Sequence, residues 1–144
     1  MNREVAELEK RNQGKMKIEI EKDFNRPWGG FIKFIDNKPC TVKILQIKRG
    51  ECLSLQSHKL RDEFWYIIAG EVEVTLGENL KSLKSKTLTE DQYLSIPKNV
   101  LHRAEGLASP ISKILEISTG KFQEEDEIRY EDKYKRESPT TEQG

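Results

Sequence analysis

The sequence predicts an all-β domain, a sandwich or a barrel, on three observations. Between Phe31 and Ser118 short apolar and β-branched runs recur, among them FIKFI, TVKILQIK, EFWYIIAG, EVEVTL, QYLSIP and SKILEIS, with Gly, Asn, Asp and Pro between them. No useful length of helical periodicity appears in that region. The gaps between runs are too short for the crossover helices of a parallel sheet, which disfavours an α/β enzyme.

Taken in order, residues 1–15 read MNREVAELEKRNQGK, a charged arm in which only Val5 and Leu8 stand at helical spacing. It is expected to be helical or disordered and to carry no chemistry. Residues 16–120 are assigned to the barrel. Residues 121–144 form a charged segment, EEDEIRYEDKYKR and then ESPTTEQG, whose first part is expected to dock on the barrel and whose end is expected to be a disordered tail.

A chain of 144 residues supports one domain with a real core, not two. Its 25 Lys and Arg balance 25 Asp and Glu, so no overall field draws it to nucleic acid or to an anionic membrane. The charged N-terminus does not resemble a signal peptide and no run approaches the ~20 apolar residues of a membrane span, so a cytoplasmic location is expected. Cys40 and Cys52 lack CxxC spacing and are expected to be reduced thiols without a metal or redox role.

The chemistry centres on the two histidines, His58 and His102. Gln56 and His58 are two apart, so on a strand they share a face while Leu53 and Leu55 bury the other. Glu63 opens the most apolar strand, where a carboxylate facing inward with Trp65 and Ile67 is unfavourable unless it is paired; a metal ion would offset that. A turn at Pro97 and Asn99 returns the next strand, with His102, to the same barrel end. Four ligands from three strands then hold one divalent metal, and the N/O donor set suits zinc, iron, manganese, cobalt or nickel.

The stretch Gly50 to Gly70 resembles the first cupin motif position by position, with Gln56 in place of its first histidine. Pro97, Asn99 and His102 match the second motif more loosely, with Asp91 and Asn99 where glycines are usual. The resemblance implies a cupin-type double-stranded β-helix, or jelly-roll, barrel followed by a short charged C-terminal segment. Within the cupins, RPWGGF at 26–31, LSLQSHKLRDEFW at 53–65, IPKNVLHR at 96–103 and EISTG at 116–120 look like the type II mannose-6-phosphate isomerases. The likeness continues through Glu124, Asp126, Arg129, Glu131, Asp132, Tyr134 and Arg136. Gln, His, Glu and His also form the zinc shell of the type I enzymes.

That likeness implies a metal-dependent isomerase, zinc being the first expectation, that interconverts mannose 6-phosphate and fructose 6-phosphate. The base is expected to be Glu116 on the ILEIS strand, raised in pKa by burial. Phosphate would be met by Arg61, Lys43, Arg103, Arg129 or Arg136, of which Arg61 and Arg129 match family positions. Trp28 and Trp65 are expected in the core, with closure of the barrel end or stacking on sugar as their other use. The sequence departs from the family at Leu60 and Phe64, where it carries histidines, at Arg49 for a proline and at Lys135 for a glycine. The losses at 60 and 64 favour an alternative, a non-catalytic metal- or sugar-binding cupin; another cupin enzyme such as a dioxygenase is a further one. No phosphate-cradling glycine loop is present, so guanylyl transfer is not expected of this chain. A homodimer is expected by analogy with other small cupins.

Overall fold

The apolar runs pair into two antiparallel sheets that face each other across one core. The computed structural model describes residues 18–120, 126–132 and 134. The strands are β1 (Glu21–Arg26), β2 (Gly29–Lys33), β3 (Thr41–Lys48), β4 (Leu55–His58), β5 (Arg61–Ala69), β6 (Glu71–Gly77), β7 (Lys84–Thr89), β8 (Tyr93–Ile96), β9 (Leu101–Gly106), β10 (Ile111–Gly120) and β11 (Glu127–Glu131). One sheet runs β3-β10-β5-β8 and the other β11-β4-β9-β6-β7, while β1 and β2 form a separate hairpin. Every strand pair is antiparallel and most neighbours are distant in sequence, as in a jelly roll.

Alternation along β5 divides the inside from the outside. Trp65 and Ile67 point between the sheets, where they join Val72, Val74, Leu76, Leu88, Leu94, Ile96 and Ile114 in the main core. Phe64 and Tyr66 point outward and are covered by Ile18, Ile20, Ile32, Phe34 and Ile35. The segment before β3 thereby buries the outer face of the four-stranded sheet and leaves the interior of the barrel to the site.

The turns explain two departures from the cupin pattern. Asp91 and Asn99, where glycines are usual, both adopt the left-handed conformation, with φ of 68° and 69°. Aspartate and asparagine tolerate that region better than other L-residues, so the turns survive without glycine. Gly70 has less latitude: φ is +83° and a Cβ there would meet Ser112 Oγ at 2.6 Å.

Several expectations need correction. The run FIKFI ends as a strand at Lys33, and Phe34 and Ile35 pack on the outer face instead. The EKDFNR and KSKTLT segments, which carry too few apolar residues to read as strands, form β1 and β7. Trp65 is fully buried, but Trp28 lies on the projecting hairpin at 72% exposure and is not core. The docking expected of the charged C-terminal segment is seen, and it takes the form of a strand, β11, which pairs with β4 in the five-stranded sheet. Cys40 and Cys52 are free, and no described helix is long and apolar enough to cross a membrane. The arm at 1–15, Glu124, Lys135, Arg136 and the tail after it lie outside the described residues.

Candidate metal centre

Three strands deliver the expected donors to one end of the barrel. Gln56 and His58 lie on β4, Glu63 on β5 and His102 on β9, with Gln56 opposite His102 in the register. Glu63 Oε1 lies 3.0 Å from His58 Nε2 and 2.9 Å from His102 Nε2, and all three side chains are buried. One ligand atom from each of these three falls within 4.8 Å of the others. Two ligands ~2.1 Å from a common ion stand ~3.0 Å apart at a right angle and ~3.4 Å apart at the tetrahedral angle, so the spacings of 3.0 Å and 2.9 Å would open by a few tenths of an ångström around a tetrahedral zinc.

The surroundings fit a cation. Gln56 Oε1, Glu63 Oε1 and His102 Nε2 are buried and have no hydrogen-bond partner in good geometry, so the close Glu63–histidine approaches call for positive charge between the atoms. His102 Nδ1 donates to the Val100 carbonyl at 3.0 Å, which leaves its Nε2 lone pair facing Glu63. Ser118 Oγ donates to Glu63 Oε2 at 3.4 Å and so turns Oε1 toward the histidines. Burial acts to raise the pKa of Glu63, but the hydrogen bonds and charge that His102 and then His58 supply when their Nε2 atoms are protonated outweigh it and hold the carboxyl well below its usual range; a bound cation would take the place of those protons.

A cavity of about 140 Å³ opens beside these donors. Of the residues expected to act on substrate, Arg61, Glu116, Arg129 and Lys43 all line it. Register explains the grouping: Glu116 on β10 stands opposite Trp65 on one side and Lys43 on the other, two residues before Ser118, which stands opposite Glu63. Trp65 Nε1 donates to Glu116 Oε2 at 3.0 Å. Burial, and after it the neighbouring Glu63 charge, push the Glu116 pKa up to about 8 against the opposing effects of Trp65 and Lys43. Arg61 Nη2 donates to His58 Nε2 at 3.2 Å, so it stands on the lone pair that an ion would take.

Two expected groups are elsewhere. Arg103 follows His102 on β9 and therefore faces the other way, pairing with Glu131 at 3.1 Å outside the cavity. Positions 60 and 64, where the family's histidines are replaced, are off the cavity: Leu60 is an exposed turn residue and Phe64 packs in the outer cluster. Their loss removes nothing from the donor set. Glu127, which sequence reasoning did not single out, does line the cavity. Its signal was the two-residue step to Arg129, which puts both side chains on one face of a strand.

The two facing sheets, with buried polar side chains gathered at one barrel end, define a cupin. A dTDP sugar isomerase from Desulfovibrio desulfuricans G20 shares the fold with a TM-score of 0.63 at 13% identity, over 81% of this chain and 83% of that one. The dTDP-6-deoxy-D-glucose-3,5-epimerase RmlC from Legionella pneumophila does so at 0.59 and 15%, over 78% and 69%. The family model described as mannose-6-phosphate isomerase C-terminal matches residues 13–132, and the chain belongs to that family. Its relatives include the alginate biosynthesis protein AlgA of Pseudomonas fluorescens, 35% identical over 89% of this chain and 26% of that protein. Mannose-1-phosphate guanylyltransferase ManC of Salmonella typhimurium is 31% identical over 85% and 25%. The chain thus spans about a quarter of the length of the curated relatives it matches.

Proposed function

We propose that this domain is a metal-dependent aldose–ketose isomerase that interconverts mannose 6-phosphate and fructose 6-phosphate. The observation that carries the reading is one cavity whose wall holds Gln56, His58 and Glu63, the last two clustered with the buried His102, together with the buried carboxyl of Glu116 and the cations Lys43, Arg61 and Arg129. The family's description supplies the substrate class.

The charges support a dianionic substrate. The cavity wall carries Lys43, Arg61 and Arg129 against Glu63 and Glu127, with Glu116 largely protonated near neutral pH when no metal is bound. One divalent ion would add two positive charges, and a phosphate monoester dianion would offset much of the excess. Gln56, His58, Glu63 and His102 would hold the ion, zinc being the first candidate, and it would polarise the carbonyl and hydroxyl oxygens at C1 and C2.

The remaining chemistry falls to the chain's own side chains. Proton movement between C1 and C2 needs a group near the substrate carbons that is not itself a ligand. Glu116 meets that condition, and its buried carboxyl, oriented by the Trp65 Nε1 hydrogen bond, is placed to take a proton from one carbon and return it to the other. Arg61 and Arg129 would bind the phosphate through charge-assisted hydrogen bonds. The alternative of a non-catalytic cupin drew its support from positions 60 and 64, and both lie off the cavity.

The test is a coupled assay in both directions on metal-stripped and metal-reloaded protein, beside His58→Ala and Glu116→Gln. Turnover that needs metal and is lost in the His58 variant supports the reading. One bound ion per chain without turnover would refute it and point to a binding protein, and full activity in Glu116→Gln would remove that residue as the base.

A further inference from the structure

We infer that Glu127 sets the anion selectivity of the cavity by occupying Arg129 until a doubly charged phosphate group displaces it. The inference rests on reading the cavity as a sugar-phosphate site. Arg129 Nη2 lies 2.6 Å from Glu127 Oε2, and both side chains are 16% exposed and line the cavity. In the β11–β4 register Glu127 stands opposite His58 and Arg129 opposite Gln56, so the pair lies directly beside the donor set.

The strand beneath the pair is fastened at both ends. Asp126 accepts hydrogen bonds from the backbone amides of Lys59 and Leu60, each 2.9 Å. Farther along, Glu131 pairs with Arg103 at 3.1 Å, and Tyr134 hydroxyl donates to Glu51. Such anchoring holds β11 in place, and exchange of partners at Arg129 then falls to side chains alone.

The competition favours dianions. A monoanion offers Arg129 the same charge as Glu127, yet it must first give up its free motion, whereas Glu127 is already tethered beside the guanidinium. A phosphate dianion brings a second charge and a third oxygen, enough for a forked contact that also reaches a neighbouring cation. Glu127 therefore screens the site against carboxylates and other monoanions while yielding to a phosphate monoester.

Calorimetric titration of the full chain at matched metal content, with inorganic phosphate above pH 8 and with acetate, tests this. Wild-type protein is expected to bind phosphate and scarcely bind acetate. Glu127→Gln is expected to bind phosphate roughly tenfold more tightly and to gain at least as much for acetate, the loss of one competing charged hydrogen bond. Arg129→Ala is expected to lose most phosphate binding. If Glu127→Gln binds phosphate no better than wild type while Arg129→Ala still loses it, Glu127 is no screen, although the phosphate reading stands. If Arg129→Ala binds phosphate as wild type does, or wild type binds none, the phosphate reading falls and this inference with it. Should Glu127→Gln fail to fold, the Arg129 side-chain nitrogen resonances of the wild-type protein decide: a shift with phosphate alone supports the screen, and equal shifts with acetate overturn it.

Discussion

Removing the metal is expected to destabilise the domain, because the ion would join its two sheets through side chains. Glu63 belongs to the four-stranded sheet, whereas Gln56, His58 and His102 belong to the five-stranded one. Gln56 and His102 are register partners on adjacent strands of the five-stranded sheet, and both are candidate ligands. A ligand that binds only the folded state stabilises by about 2.7 kcal/mol at a free concentration ~100 times its dissociation constant. For a domain of roughly 150 residues that corresponds to about 5–11 °C in melting temperature. Differential scanning calorimetry of chelator-stripped protein, before and after addition of zinc, reads this shift, and His102→Ala should abolish it. Equal melting temperatures with and without saturating metal, or an undiminished shift in His102→Ala, would refute the reasoning.

In metal-free protein, Glu116 should make stability depend on pH. Its folded pKa of about 8 lies above the ordinary 4.5, so the stability it contributes is complete below about 4.5 and is lost as pH rises toward about 8. The advantage of Glu116→Gln over wild type should therefore grow across that window and level off above it; a constant difference in thermal melts at several pH values would contradict this. Trp65→Phe removes the buried donor to Glu116 and leaves unfilled volume, and should destabilise by about 2–3 kcal/mol in guanidinium unfolding; a change below ~0.5 kcal/mol would show that the contact matters little. We also propose a homodimer through edge strand β3, where Val42 and Ile44 are more than half exposed. Sedimentation should then find a dimer in wild type and a monomer in Ile44→Lys; a monomeric wild type would count against it.

The donor set was legible because strand geometry is local. Gln56 and His58 share a face by their spacing, and Glu63 in an apolar strand announces a partner. Asp91 and Asn99 were recognisable as glycine stand-ins, and their left-handed φ values give the reason. What stayed illegible depends on which strands become neighbours. Nothing in ILEIS tells that Glu116 lies between Lys43 and Trp65, since that follows from β10 sitting between β3 and β5. Arg103 could have been excluded by its odd step from His102. β11 was hidden because a charged strand at a sheet edge lacks an apolar alternation, and with it went Glu127. Trp28 reads as core by its size, but its hairpin stands apart from both sheets.

Proton nuclear magnetic resonance of mannose 6-phosphate incubated with the metal-loaded protein in deuterium oxide tests the central claim most directly. The account predicts conversion to fructose 6-phosphate with solvent deuterium appearing at C1 or C2, in wild type and not in His58→Ala. Unchanged sugar, with no exchange at either carbon while one equivalent of metal is bound, would contradict it.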